Sequence, residues 1–220
     1  MTRLLAVIGV LVVPALAPSL EAQIAVSLSG AAAQVHSTAL VDGVTEEIGG
    51  VWFGGALAVH LGPAVVRARA LGGTMTPVGS SNAFERDGGE LQGGLALHPT
   101  PWVSLDGSFT YRAFDSPVGF QSWTMPAVGV TLSPPLGDPD LRAYLRGSYL
   151  PSVAVSGREA PDLGLWAEGG VRAALRVAPI VIGLSYRFER YDFPTNTVTR
   201  VEQFDRLALE VGVRLGSGTP

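Results

Sequence analysis

The chain has 220 residues, of which 47% are hydrophobic and only 15% charged, and its formal net charge is −4. Soluble domains carry nearer a quarter charged residues, yet beyond the N-terminus no run reaches the roughly 18 apolar residues of a spanning helix. The lack of cysteine excludes disulfides and thiolate metal sites. The basic residues, all arginine, are spread singly and form no patch for nucleic acid.

Residues 1–22 read as a signal peptide. Met1-Thr2-Arg3 gives a short positive start, and Leu4 to Val13 forms an apolar core too short to span a membrane. Pro14 and Pro18 break the core and small residues follow, so cleavage is expected after Ala22 or after Ala17. Residues 23–220 then form one domain, with no linker or second unit.

Ten segments of that domain alternate with period two between turn signals. They run near 24–36, 48–61, 65–76, 90–98, 103–113, 122–133, 141–155, 163–177, 180–191 and 203–215. Short connections are expected at Gly62-Pro63-Ala64, Pro99 to Trp102, Pro134 to Asp140 and Ala178-Pro179. Longer polar ones are expected near 37–47, 77–89, 114–121, 156–162 and 192–202. Two prolines test the scheme. Pro126 lies inside the sixth segment and Pro151 inside the seventh, where a paired strand needs a bulge or a position beyond the hydrocarbon. If segments one or six fail, eight strands remain.

Alternation gives each strand two faces without saying which is inside. In residues 103–112, Val103, Leu105, Phe109 and Tyr111 oppose Ser104, Asp106, Ser108, Thr110 and Arg112. A soluble, lipocalin-like binding barrel would turn the apolar face inward. A transmembrane barrel would turn it outward. Three features favour the second. The segments exceed ordinary soluble strands and match the roughly 9–11 residues needed to cross a bilayer. They use most of the domain, leaving little to cover a sheet. Aromatics, with Trp52, Tyr111, Trp123, Tyr149, Tyr186 and Tyr191 as girdle candidates, gather toward the long-loop ends.

The expected fold is therefore all-β: a closed antiparallel up-and-down barrel. Its inward face would carry Arg67, Arg69, Arg112, Arg142, Arg146, Arg172, Arg176, Arg187, Arg206 and Arg214. The inward acids are fewer: Glu90, Asp106, Glu168, Glu189 and Glu210. The inferred lumen is basic although the chain is acidic overall.

With its export signal, alternating strands and short-turn/long-loop rhythm, the chain resembles the small outer-membrane β-barrel proteins of Gram-negative bacteria. Its last strand, Leu207-Ala-Leu-Glu-Val-Gly-Val-Arg-Leu215, is similar to the assembly signal of such barrels. It departs from their pattern in lacking a closing aromatic, since Gly216-Ser-Gly-Thr-Pro220 follows. The resemblance implies short periplasmic turns, longer external loops, and contact with outer-membrane lipid, lipopolysaccharide and the assembly machinery. A monomer without cofactor is expected.

For function, the residues leave several readings. In one, Arg–carboxylate networks fill the lumen and the role is structural or surface-interactive. In another, excess arginine lines a narrow pore favouring anions. A membrane hydrolase would need a histidine with a serine or carboxylate at the rim. His36 lies beside Ser37, while His60 and His98 lie near short turns, so no catalytic site is expected. The loop acids Asp42, Glu46, Glu47, Glu85 and Asp87 lack calcium-loop spacing, and no metal site is expected.

Overall fold

A computed structural model describes residues 24–175, 178–194 and 200–216. The expected signal peptide at 1–22 and the lumen candidate Arg176 lie outside them. Long strands are β1 (Ile24–Val41), β2 (Val44–Leu61), β3 (Ala64–Pro77), β4 (Arg86–Thr100), β5 (Val103–Ser116), β6 (Gly119–Leu132), β8 (Asp138–Tyr149), β10 (Leu163–Ala174), β11 (Ile180–Asp192) and β12 (Arg200–Gly216). Two-residue strands, β7 (Pro135–Leu136) and β9 (Ala154–Val155), complete the sheet. The ten long strands run antiparallel, each beside the next in the chain. β1 pairs with β12 and β6 with β8, so the sheet closes on itself and its long edges disappear.

The apolar face points outward. On β12, Leu207, Leu209, Val211, Val213 and Leu215 are all exposed, while Phe204, Arg206 and Ala208 are buried. Leu28, Leu57, Val66, Leu95, Leu105, Val130, Leu145 and Leu184 extend the exposed apolar surface around the barrel. A patch this extensive needs an apolar solvent. The lipocalin-like arrangement is thus reversed in this fold.

All ten expected strands form, but several are longer than their alternation suggested. The loop expected near 37–47 is instead a continuation of the first hairpin, paired without a break from Val41↔Val44 to Ile24↔Leu61. Asp42 and Gly43 have φ of 48° and 81°. Two left-handed residues make the primed turn that suits the twist of paired strands. The expected loop at 114–121 likewise shrinks to two residues between β5 and β6. Polar residues beyond the apolar belt keep pairing because backbone hydrogen bonds do not require lipid.

Both prolines sit where the ladder tolerates them. β6 pairs with β8 only from Val128 to Leu132, and with β9 at Trp123 and Thr124. Pro126 lies between those two stretches. β8 ends at Tyr149, two residues before Pro151, so the seventh segment is shorter than the expected 141–155. The chain then turns inward, burying Leu150, Val153 and Val155.

Small residues set the close approaches. At Gly54 a side-chain methyl would run into the backbone of Ala70 across the β2–β3 ladder. On β1, Ala33 lies directly opposite Trp52, and Ala31 and Ala33 are both buried. The strand's shortage of large side chains therefore leaves room inside the barrel for an indole.

Candidate functional site

The inward face of the barrel carries two layers. The first is a charged layer near mid-height. Arg112 on β5 holds Glu90 on β4 through Nε (3.0 Å) and Nη2 (2.5 Å). The same guanidinium reaches Glu189 on β11, with Nη1 2.8 Å from Oε2. Arg206 on β12 donates from Nη1 to the other oxygen of Glu90 at 2.7 Å. Arg187 on β11 lies 2.8 Å from Glu189, which also accepts a hydrogen bond from the Tyr191 hydroxyl at 2.7 Å. β4 and β5 stand across the lumen from β11 and β12 in the strand order, so the network bridges the barrel.

These groups are sealed from water. Arg112 is 2% exposed, Arg206 1%, Glu90 4% and Glu189 0%. Burying such charges demands that each find partners. Rings supply further contacts. Arg112 stacks over Phe204 with its carbon 3.8 Å from the centroid, and Trp166 takes Arg187 at 4.1 Å and Arg146 at 4.6 Å.

A second set of pairs lies toward the end carrying the turns at 62–63 and 101–102, the turn end. Asp106 pairs with Arg67 and lies 3.6 Å from Arg146, and it accepts hydrogen bonds from Thr131 (2.6 Å) and Ser104 (3.2 Å). Glu210 accepts from Ser29 at 2.5 Å and from Arg69 at 3.5 Å. Glu168 accepts from the Tyr144 hydroxyl at 2.8 Å and lies 4.0 Å from Arg206. Arg142 donates to the backbone carbonyls of Pro101 (3.2 Å) and Ser133 (3.5 Å). Arg172 and Arg214 occupy the same end.

The other layer is an apolar plug toward the loop end. The Trp52 ring centroid lies 5.8 Å from Phe204 and 6.2 Å from Phe114, and Trp123 lies 5.0 Å from Tyr191. Met75, Met125, Leu150, Val153 and Val155 fill the remaining space. This corrects three girdle expectations. Trp52 (0% exposed), Trp123 (3%) and Tyr191 (2%) lie inside the barrel, not at a lipid interface. The physical reason is parity: each shares its strand face with inward residues. Tyr111, Tyr149 and Tyr186 do face outward and are exposed. Phe53, next to Trp52, is the outward aromatic of β2.

The histidines are scattered. His36 lies 3.8 Å from Glu47 and 4.0 Å from Asp205 at the loop end, with all three side chains at least partly exposed. His60 lies 3.4 Å from the Ser27 hydroxyl near the tight turns. Of the acids expected in long loops, Glu46 lies 3.9 Å from Arg86, and Asp87 accepts a hydrogen bond from Thr74 at 2.6 Å.

No protein-family model matches the chain, and no curated protein sequence matches it. Among solved structures it is similar to the outer membrane protease OmpT of Escherichia coli. Identity is 12% and the TM-score 0.49, with 89% of this chain and 97% of that one covered. It is also similar to the translocator domain of the autotransporter NalP from Neisseria meningitidis, at 15% identity and TM-score 0.48, covering 86% and 88%. A third is the attachment invasion locus protein Ail of Yersinia pestis, at 14% identity and TM-score 0.37, covering 88% and 99%. What this chain has in common with them is the barrel form.

Proposed function

We propose that the protein is a bacterial outer-membrane barrel with a filled lumen, acting through its presence and its external surface and not by transport or catalysis. The observation that carries this reading is the burial across the lumen. Trp52, Met75, Met125, Arg112, Glu189, Tyr191 and Arg206 are all essentially inaccessible to water, whereas a water-filled channel exposes its lining. The apolar outer face supports residence in a bilayer, and the exposed Tyr111, Tyr149 and Tyr186 suit an interfacial position. In this reading the partners are outer-membrane lipid, lipopolysaccharide and the barrel-assembly machinery. The protein acts as a monomer.

The same burial disfavours the narrow anion-biased pore. Planar-bilayer recording separates the two. Folded protein, with insertion verified by protease protection of the same preparation, is expected to give no discrete conductance. Regular single-channel steps, anion-selective or otherwise, would contradict the filled lumen.

A further inference from the structure

On β5 the outward apolar run of Leu105, Phe109 and Tyr111 gives way to the exposed Asp115. Past that point large apolar side chains return. Val118 and Phe120, at the apex of β5 and β6, are exposed, and so is Phe84, just before β4. Phe120 is the direct partner of Asp115 across the β5–β6 ladder. That position lies about 13 Å beyond Tyr111, at roughly 3.3 Å per residue along the strand. A carboxylate is costly in hydrocarbon, so Phe120 stands outside the lipid that the lower wall meets. Asp87 faces Asp115 across the β4–β5 ladder. The same register, continued past Arg86, sets Phe84 level with Val118.

The backbone that displays these side chains is held. The β5–β6 ladder runs unbroken from Val103↔Leu132 to Ser116↔Gly119, and the Ser116 hydroxyl donates to the Gly119 carbonyl at 3.0 Å. The segment before β4 is tied to β2. The Val78 amide donates to the Glu47 carbonyl at 3.0 Å, and the Glu47 amide to the Ser81 hydroxyl at 3.0 Å. The charge around the patch has one sign. Glu85, Asp87 and Asp115 are exposed, whereas Arg86 reaches Glu46 at 3.9 Å. Thr74 donates a hydrogen bond to Asp87 without neutralising it. Among the described residues no arginine or histidine lies within ion-pair distance of these three acids.

Clustered apolar side chains with a polar rim mark interaction surfaces. The carboxylates set the chemistry of what docks. A second copy would bring the same charge, and phosphate-bearing lipid is repelled. We propose that the β4–β5–β6 apex, at the end of the barrel opposite the turn end, docks a basic polypeptide segment with apolar side chains. Its apolar groups meet Phe84, Val118 and Phe120, and its lysines or arginines meet Glu85, Asp87 and Asp115. This gives the external surface a class of partner and rests on the outer-membrane reading.

The full chain, folded in zwitterionic detergent, is titrated with a fluorescent amphipathic peptide of leucine and lysine, with protein-free micelles as the blank. Saturable binding that weakens with added salt is expected. Phe120→Ser is expected to weaken it about tenfold, the scale of an aromatic anchor at an interface. Asp115→Asn combined with Glu85→Gln is expected to cost about as much. Asp192→Asn, which removes an acid paired with Arg190 on β11, is expected to leave binding unchanged. Oligolysine and a leucine–glutamine analogue, each lacking one half of the match, are expected to bind at least about tenfold more weakly. Phe120→Ser is also expected to leave sedimentation and unfolding in vesicles unchanged. No saturable binding, equal binding of either analogue, or an equal loss in the Asp192 variant would overturn the proposal. So would a Phe120→Ser variant less stable in vesicles, which makes lipid the occupant, or a parent oligomer that this variant dissolves, which makes it a second copy. A protein whose mobility shifts on boiling yet binds no peptide contradicts the docking surface alone. One with no shift contradicts the barrel reading as well.

Discussion

Replacing Glu90 with alanine is expected to destabilise the folded barrel by about 3–5 kcal/mol, the usual penalty for removing one partner of a buried ion pair. Glu90 is the carboxylate that joins the guanidiniums of Arg112 and Arg206, at 2.5 Å and 2.7 Å. All three are buried, so the substitution leaves cationic groups facing each other in a region water does not reach. Glu189 still holds Arg112 and Arg187, but among the described residues Arg206 keeps Glu168 as its one ion-pair partner, at 4.0 Å. Glu90→Gln retains an acceptor and is expected to lose less. Urea unfolding in lipid vesicles, followed by tryptophan fluorescence, measures both, since Trp52, Trp123 and Trp166 report from the interior. A loss within about 1 kcal/mol, the range of solvated ion pairs, would mean the arginines are hydrated and the lumen open.

The second large effect is on the outer face. Leu209 is 50% exposed, in the middle of β12, opposite Leu184 on one side and Ala32 on the other. Leu209→Arg is expected to cost about 2–4 kcal/mol in a bilayer, and Leu215→Arg, near the strand end, about 0–1 kcal/mol. The contrast isolates depth, because both positions face outward on one strand. Equal small costs at the two sites would mean that the apolar face meets water.

Much of this arrangement is legible in the residues. Where charged residues punctuate a strand, as Arg206, Glu210 and Arg214 do in β12, alternation phases its two faces. Where they do not, phase is lost. Around Trp52 the sequence is Gly-Gly-Val-Trp-Phe-Gly-Gly, and nothing local says which of the adjacent Trp52 and Phe53 faces the lumen. β6 has the same problem around Trp123, with no charged residue from Gly119 to Leu132. Tyr191 is different: it shares parity with Arg187 and Glu189, and that signal places it inside. The Asp42-Gly43 dipeptide similarly marks a tight hairpin, although the polar residues around it suggest a loop.

Pairing within the lumen is beyond sequence reasoning for a geometric reason. Glu90 and Arg206 are 116 positions apart, and only closure of the sheet brings β4 within reach of β12. A count of inward charges shows an excess of arginine but not where it lies. In the folded barrel Glu90, Asp106, Glu189 and Glu210 lie against Arg112, Arg187, Arg206, Arg67, Arg146 and Arg69. The inward course of residues 150–155 also depends on tertiary packing, since Leu150, Val153 and Val155 join the buried cluster that includes Trp123, Met125 and Trp166.

The most direct test of the account is the electrophoretic behaviour of the protein in fractionated envelopes of a Gram-negative host. A closed barrel that spans the outer membrane is expected in that fraction, with an unboiled sample migrating differently from a boiled one. A soluble periplasmic protein with no difference between boiled and unboiled samples would contradict it.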